Sequence, residues 1–212
     1  MALVFSIAGL LISIVTLYLT QFNKPRIKTV IDNTILMAYN YLGYEYFELQ
    51  VPVSMINNSP NAGVVLKCAV CLVNTSNGES NFMTWQKFYK VDFETGRYAT
   101  DNLALPFVVG GHSSTSKIIM FGWDQSENKI RLSEGEYDLK LYIWVSSGLN
   151  AKPDSMISRK FSISKTQIKD MNDSLTAAKK NEPNPYTAFP LDNEIPANQK
   201  LTAAERRRLY DV

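Results

Sequence analysis

The chain has 212 residues, with 22 Lys and Arg against 20 Asp and Glu, a formal net charge of +2 and a single histidine. So even a balance leaves no electrostatic footprint for nucleic acid, and one histidine with two cysteines supplies neither a metal centre nor an extracellular disulfide framework. Hydrophobic residues make up 45% and aromatic ones 11%, enough for one β-rich core after the apolar start and the proline-rich end are set aside.

First in chain order is an apolar run from Ala2 to Phe22, with no charge before Lys24. Its length matches the roughly 20 residues with which a helix crosses a hydrocarbon core. A secretory signal begins with Lys or Arg and ends at a small-residue cleavage site, and neither is present. The other alternative is a buried core helix, but a helix apolar on every face is costly for one small β domain to cover. Residues 1–23 therefore read as a retained single-pass anchor touching the bilayer through residues 2–22. Tyr18 and Phe22 stand where interface aromatics are found, followed by Lys24, Arg26 and Lys28. Positive charge only on that flank predicts an inner-membrane protein whose soluble part is cytoplasmic. Gly9 and Ser13 form a small-x-x-x-small pair through which two anchors can pack, with a plain lipid-facing helix as the alternative.

Residues 24–43 read as linker and first strand. Pro25 disfavours helix, Arg26 to Ile31 is strand-like, and Asn33 to Gly43 fits a helical face as well as a strand. Residues 44–165 change to a period of two. Leu49, Val51, Val53 and Met55 share one face, opposed by Gln50 and Ser54. The turn cluster Asn57 to Gly63 then leads to Val64–Val73, apolar on both faces, and the two strands predict a hairpin. Phe82 to Phe93, Leu105 to Val109, Lys117 to Trp123, Tyr137 to Val145 and Ser158 to Ser164 are further strands, with Gly96 to Ala104 as loop. Tyr137, Leu139, Leu141, Ile143 and Val145 show the clearest alternation, and Leu132 to Tyr137 matches a tyrosine corner. Seven or eight short strands predict a mainly β fold, an immunoglobulin-like antiparallel β-sandwich, with a closed barrel as the competitor.

Ser164 and Gln167 have capping-box spacing ahead of Ile168, Met171 and Leu175, which predicts a short helix over 166–180. Residues 181–212, with prolines at 183, 185, 190 and 196, read as an extended or disordered tail with a terminal helical turn near Thr202 and Glu205.

This order of features resembles single-pass bacterial membrane proteins with an immunoglobulin-like soluble domain. The resemblance rests on Val51 to Asn58, Gly63-Val64-Val65 and Gly135 to Leu139, over residues 1–165. It implies a fold and an anchor and carries no catalytic residues. The Cys…Trp…Cys signature is missing, because Cys68 and Cys71 lie too close in sequence to bridge two sheets.

Candidate chemistry is sparse. Cys68 and Cys71 have C-x-x-C spacing, but in a strand an odd separation sends them to opposite faces, and no second Cys/His pair completes a zinc site. His112 follows Gly110-Gly111 without a G-x-S-x-G elbow. Arg206, Arg207 and Arg208 are the sharpest basic cluster, suited to anionic lipid or an acidic partner; a solvated helix end is the bland alternative. Tyr186 and Phe189 offer a short partner-binding motif in the tail. The expected function is a membrane-anchored, non-enzymatic module that recruits a protein partner, without cofactor, metal or nucleic acid. The alternatives are a membrane-associated homo-oligomer and an enzyme with an unrecognised loop site.

Overall fold

Period-two sequence becomes strand wherever one face finds a core, and twelve strands form among the described residues. The computed structural model describes residues 2–21, 24–92, 97–123, 129–145, 152–182 and 186–192. Helix α1 (Ala2–Gln21) is followed by β1 (Ile27–Ile31), β2 (Thr34–Tyr41), β3 (Glu45–Asn57), β4 (Gly63–Val65), β5 (Lys67–Asn74), β6 (Ser80–Asp92), β7 (Arg97–Leu103) and β8 (Phe107–Val109). Then come β9 (Ser113–Trp123), β10 (Gly135–Trp144), β11 (Ser155–Ile163), α2 (Lys165–Lys179) and β12 (Thr187–Pro190).

Ten strands share one antiparallel sheet in the order β11-β10-β5-β6-β9-β3-β2-β12, with β1 added on β3 and β7 on β6; β4 and β8 pair separately. The long β6 bends this sheet back on itself. Its first part, Ser80 to Thr84, pairs with β5, whereas Trp85 to Tyr89 pairs with β9. The register shifts between Trp85 and Lys87, a bulge of the kind that lets a strand cross from one layer to the other. At the far side β11 meets β12 through a single bridge, in which Asp192 N donates to Lys160 O at 2.7 Å. The sheet is therefore nearly barrel-shaped. The predicted mainly β, antiparallel architecture is present, as one sheet continuous through β6.

Leu49, Val51, Val53 and Met55 face the interior as their alternation predicts, together with Ile119 and Phe121 of β9. Val70, Leu72, Leu139, Leu141 and Ile143 supply the opposite wall, all buried. The Tyr137 hydroxyl closes the corner: it donates to Ser133 O at 3.1 Å and accepts from Ser133 N at 3.0 Å and from Asn74 Nδ2 at 3.2 Å. Helix α2 starts at the expected box. Ser164 Oγ accepts from Gln167 N at 3.3 Å and Gln167 Oε1 accepts from Ser164 N at 2.9 Å, while Met171 and Leu175 are buried.

Four expectations are corrected. The run Val64–Val73 is two strands, broken at Leu66, where the backbone leaves β8 and Leu66 N donates to Trp144 O. The hairpin between β3 and that run does not form, because β3 pairs with β1, β2 and β9 while β5 pairs with β6 and β10. Residues 97–103, read as loop, are strand β7, and its side chains at 100–103 are exposed, so it carries no apolar stripe. The start of the tail is β12, held by Leu191 N donating to Asn33 O at 2.8 Å. The ambiguous 33–43 segment resolves as β2, because Ile35, Met37 and Tyr39 alternate into the core.

Helix α1 stands apart from this core. Side chains are described over 5–18, and every one of them is exposed, including Phe5 at 72% and Ile12 at 67%. Among the described residues no helix is long and apolar enough to cross a membrane. Ser13 Oγ donates to Gly9 O at 2.9 Å within the same helix.

Candidate functional site

Three regions gather polar or charged side chains: a buried carboxylate on the outer face of β3 with its adjoining groove, the ion cluster around Glu45 at the start of β3, and the end of the domain where the chain leaves α1. Strand geometry points Phe47, Leu49 and Val51 inward and therefore Glu48 and Gln50 outward. Glu48 is nevertheless only 1% exposed. Its Oε1 accepts from the Tyr89 hydroxyl at 2.8 Å and its Oε2 from Asn40 Nδ2 at 3.2 Å. The Tyr186 hydroxyl also bonds to Glu48 and to Tyr89. The cluster thus joins β2, β3, β6 and the residue leading into β12.

Its electrostatics are those of a carboxylate ringed by neutral donors. Burial and then the Glu48 charge push the Tyr89 hydroxyl up to about 12, and the same causes push Tyr186 far above the ordinary phenol range. Both hydroxyls stay protonated and act as donors at neutral pH. Gln50, two residues along on the same face, is 0% exposed, and neither atom of its amide has a hydrogen-bond partner among the described residues. An orphaned buried amide costs about 1–3 kcal/mol.

Beside this cluster runs an open groove of about 650 Å³, lined among others by Asp32, Pro52, Ser54, Tyr89, Ser116 and Ile118. The Ser54 and Ser116 hydroxyls meet across paired strands at 2.9 Å. Lys117 and Asp101, which also line it, lie 3.8 Å apart.

At the start of β3, Glu45 gathers Lys179 of α2 at 2.6 Å, Lys129 at 3.4 Å and Arg131. The hydrogen bond from Lys179, then the charges of Arg131 and Lys129, lower the Glu45 carboxyl to about 2 despite some burial. This contact ties the last turn of α2 and the 129–131 segment to the sheet.

The sequence-predicted residues fall into three groups. Lys24, Arg26 and Lys28 are exposed where the chain enters β1, and Arg26 is anchored by its backbone: its N donates to Ser59 Oγ at 3.3 Å, and its O accepts from Asn58 N at 3.3 Å. Tyr186 joins the Glu48 cluster. Phe189 is 0% exposed and packs edge-on against Phe161 at 5.9 Å, so it serves the chain's own core, which corrects its expected place in a free partner motif. Arg206, Arg207, Arg208 and the terminal helical turn lie outside the described residues.

Cys68 is buried, which pushes its thiol up to about 12, and half-buried Cys71 lies on the opposite face of β5. His112 is exposed in a left-handed turn, φ 48°, with its N donating to Ser59 O at 2.9 Å. Gly111 beside it admits no side chain, since a Cβ there would meet Pro60 O at 1.8 Å. Glu48, Gln50 and Tyr89 were not singled out from sequence. The one signal was a carboxylate at Glu48 inside the apolar segment Tyr46 to Val53, but alternation assigns that face to solvent.

No family model and no curated protein matches the chain. Among solved structures, the chain is similar to a crystal structure of a protein from Archaeoglobus fulgidus, with 12% identity, a TM-score of 0.32, and coverage of 66% of this chain and 98% of that one. An X-ray structure of a Northeast Structural Genomics Consortium target has 6% identity and a TM-score of 0.29, covering 84% of this chain and 94% of that one. Likenesses this distant carry no functional argument.

Proposed function

We propose that this chain is a single-pass, non-enzymatic binding module of the inner membrane, with its β domain on the cytoplasmic side recruiting a protein partner. The observation that carries the reading is the surface of α1. Over residues 5–18 it presents Phe5, Ile7, Leu10, Leu11, Ile12, Ile14, Val15 and Leu17, each more than half exposed. Burying one such side chain is worth about 1.5–3 kcal/mol, so covering this surface with an apolar environment is strongly favourable. The apolar sequence runs on to Phe22, and the basic flank Lys24, Arg26 and Lys28 supports the cytoplasmic orientation.

The test is a pair of reporters fused after Val212 in the full chain, read in intact cells, with crosslinking of the native membranes. A fluorescent protein fusion is expected to glow and an alkaline phosphatase fusion to stay inactive. An active phosphatase overturns the orientation. A chain that runs as a strict monomer in detergent and crosslinks to no neighbour overturns the recruiting role.

A further inference from the structure

The end of the β domain nearest α1 combines exposed valines with basic side chains. The backbone from Gln21 to Pro25 spans four residues, a reach of at most about 14 Å. Pro25 is in turn fixed against the β4–β8 ribbon: a Cβ built on Gly63 would lie 2.8 Å from Pro25 Cβ and 2.8 Å from Ile27 Cδ1, so the side chains of Pro25 and Ile27 pack directly on the Gly63 backbone. The ribbon is thus held within one short tether of the C-terminal end of α1. On its outer side Val64 and Val108 are direct cross-strand partners, and both are exposed, at 39% and 60%. Their neighbours Val65 and Val109 are fully buried in the core, so the ribbon is seated and its outward face is the free one.

Charge follows the same geography. Lys24, Arg26 and Lys28 are exposed at the entry to β1, and Lys152 is exposed just before Asp154. Lys67 opens β5 beside Trp144, its Nζ 5.1 Å from the ring centroid. Asp154 is the acidic side chain among these, and it is occupied by Val145 N at 2.8 Å. The opposite end of β5, eight residues away, closes in the exposed polar turn Thr75 to Gly78.

We infer that this end of the domain is a second membrane contact: the β4–β8 ribbon inserts Val64 and Val108 at the surface of an anionic bilayer while Lys24, Arg26, Lys28, Lys67 and Lys152 meet its headgroups. The inference rests on the proposed anchor and goes beyond it, because a covalent tether alone does not fix the domain's orientation. Tether length and charge select the lipid surface as occupant. Each basic side chain near an anionic surface contributes attraction that falls off within a Debye length, and two apolar side chains add insertion at the headgroup boundary. Docking in this way fixes the domain's orientation, so the 75–78 turn and the start of α2 point away from the membrane towards a partner.

The test uses the full chain reconstituted in phosphatidylcholine vesicles with and without phosphatidylglycerol, in a Cys71→Ser background where the remaining Cys68 is buried. An environment-sensitive fluorophore is placed at Val108→Cys, at Val64→Cys, or at Asn77→Cys as the distal control, and carbonate-resistant retention is measured on the same samples. With phosphatidylglycerol present, the probes at 108 and 64 are expected to shift to the blue and lose most of their emission to brominated acyl chains. The probe at 77 is expected to stay unquenched, and omission of phosphatidylglycerol to weaken quenching at 108 and 64. Retention in the bilayer with equal, low quenching at all three sites overturns the docking inference and leaves the anchor standing. Release by carbonate overturns both. Quenching at 108 and 64 that ignores lipid charge overturns the electrostatic part.

Discussion

Replacing Phe189 by Ala separates a structural strand from a free tail. Phe189 lies in β12, opposite Ile35 of β2, is 0% exposed and packs against Phe161. Truncating a fully buried phenylalanine costs about 3–5 kcal/mol, from lost transfer energy and the cavity that remains. A domain of this size has about 5–15 kcal/mol in all, so the variant gives up a large share of its stability. With a urea slope of about 2 kcal/mol/M, the midpoint falls by roughly 1.5–2.5 M. Urea unfolding of the full chain in detergent, followed by near-ultraviolet circular dichroism, reads this directly. Pro190→Ala, at an exposed position of the same strand, is the control and is expected to shift little. A Phe189→Ala midpoint within error of the parent would refute the placement of β12 and restore a free tail.

Tyr137→Phe removes the corner hydroxyl and with it the bonds to Ser133 N, Ser133 O and Asn74 Nδ2; an equilibrium unfolding loss of about 1–3 kcal/mol is expected, and an unchanged midpoint would count against the corner. Glu45 has a folded-state carboxyl lowered from 4.5 to about 2, so its contribution is complete above about pH 4.5 and disappears as pH falls towards 2. Because the three cations around Glu45 are solvent-accessible, that contribution is kept to about 1 kcal/mol at low salt. Glu45→Gln should flatten the stability-against-pH curve below pH 4.5, and a parallel curve would sink the assignment. Gln50→Met replaces an orphaned amide with an apolar side chain of similar shape, and a gain of about 1–2 kcal/mol is expected; a loss would show that the amide has a partner in solution.

The strands with one apolar face were legible in the sequence. The alternation at Leu49 to Met55 and at Tyr137 to Val145 predicted which side chains are buried, and the Ser164 cap predicted the start of α2. What escaped was pairing, since β3 and the 64–73 run are neighbours in sequence but β3 finds β9 across more than sixty residues. Periodicity reports which face is buried and is silent on which strand lies alongside. Edge strand β7 escaped because its pairing is carried by backbone, while Thr100, Asp101 and Asn102 are exposed. The tail misled through its prolines: Pro190 is compatible with a strand at the sheet margin, where β12 pairs on one side with β2. The Glu48 cluster was invisible for a related reason. Its donors come from three other elements, and an outward-facing carboxylate in a strand is ordinarily solvated.

The most direct test of the anchored reading is partition of the full chain between membrane and carbonate-soluble fractions, set beside the double variant Leu11→Lys and Ile12→Lys. Two lysines at the centre of a spanning helix cost about 5–7 kcal/mol of insertion free energy on the translocon scale. The parent chain is expected to remain in the membrane pellet and the variant to move to the supernatant with its β domain folded. A parent chain released by carbonate, or a variant retained as firmly as the parent, would contradict the account.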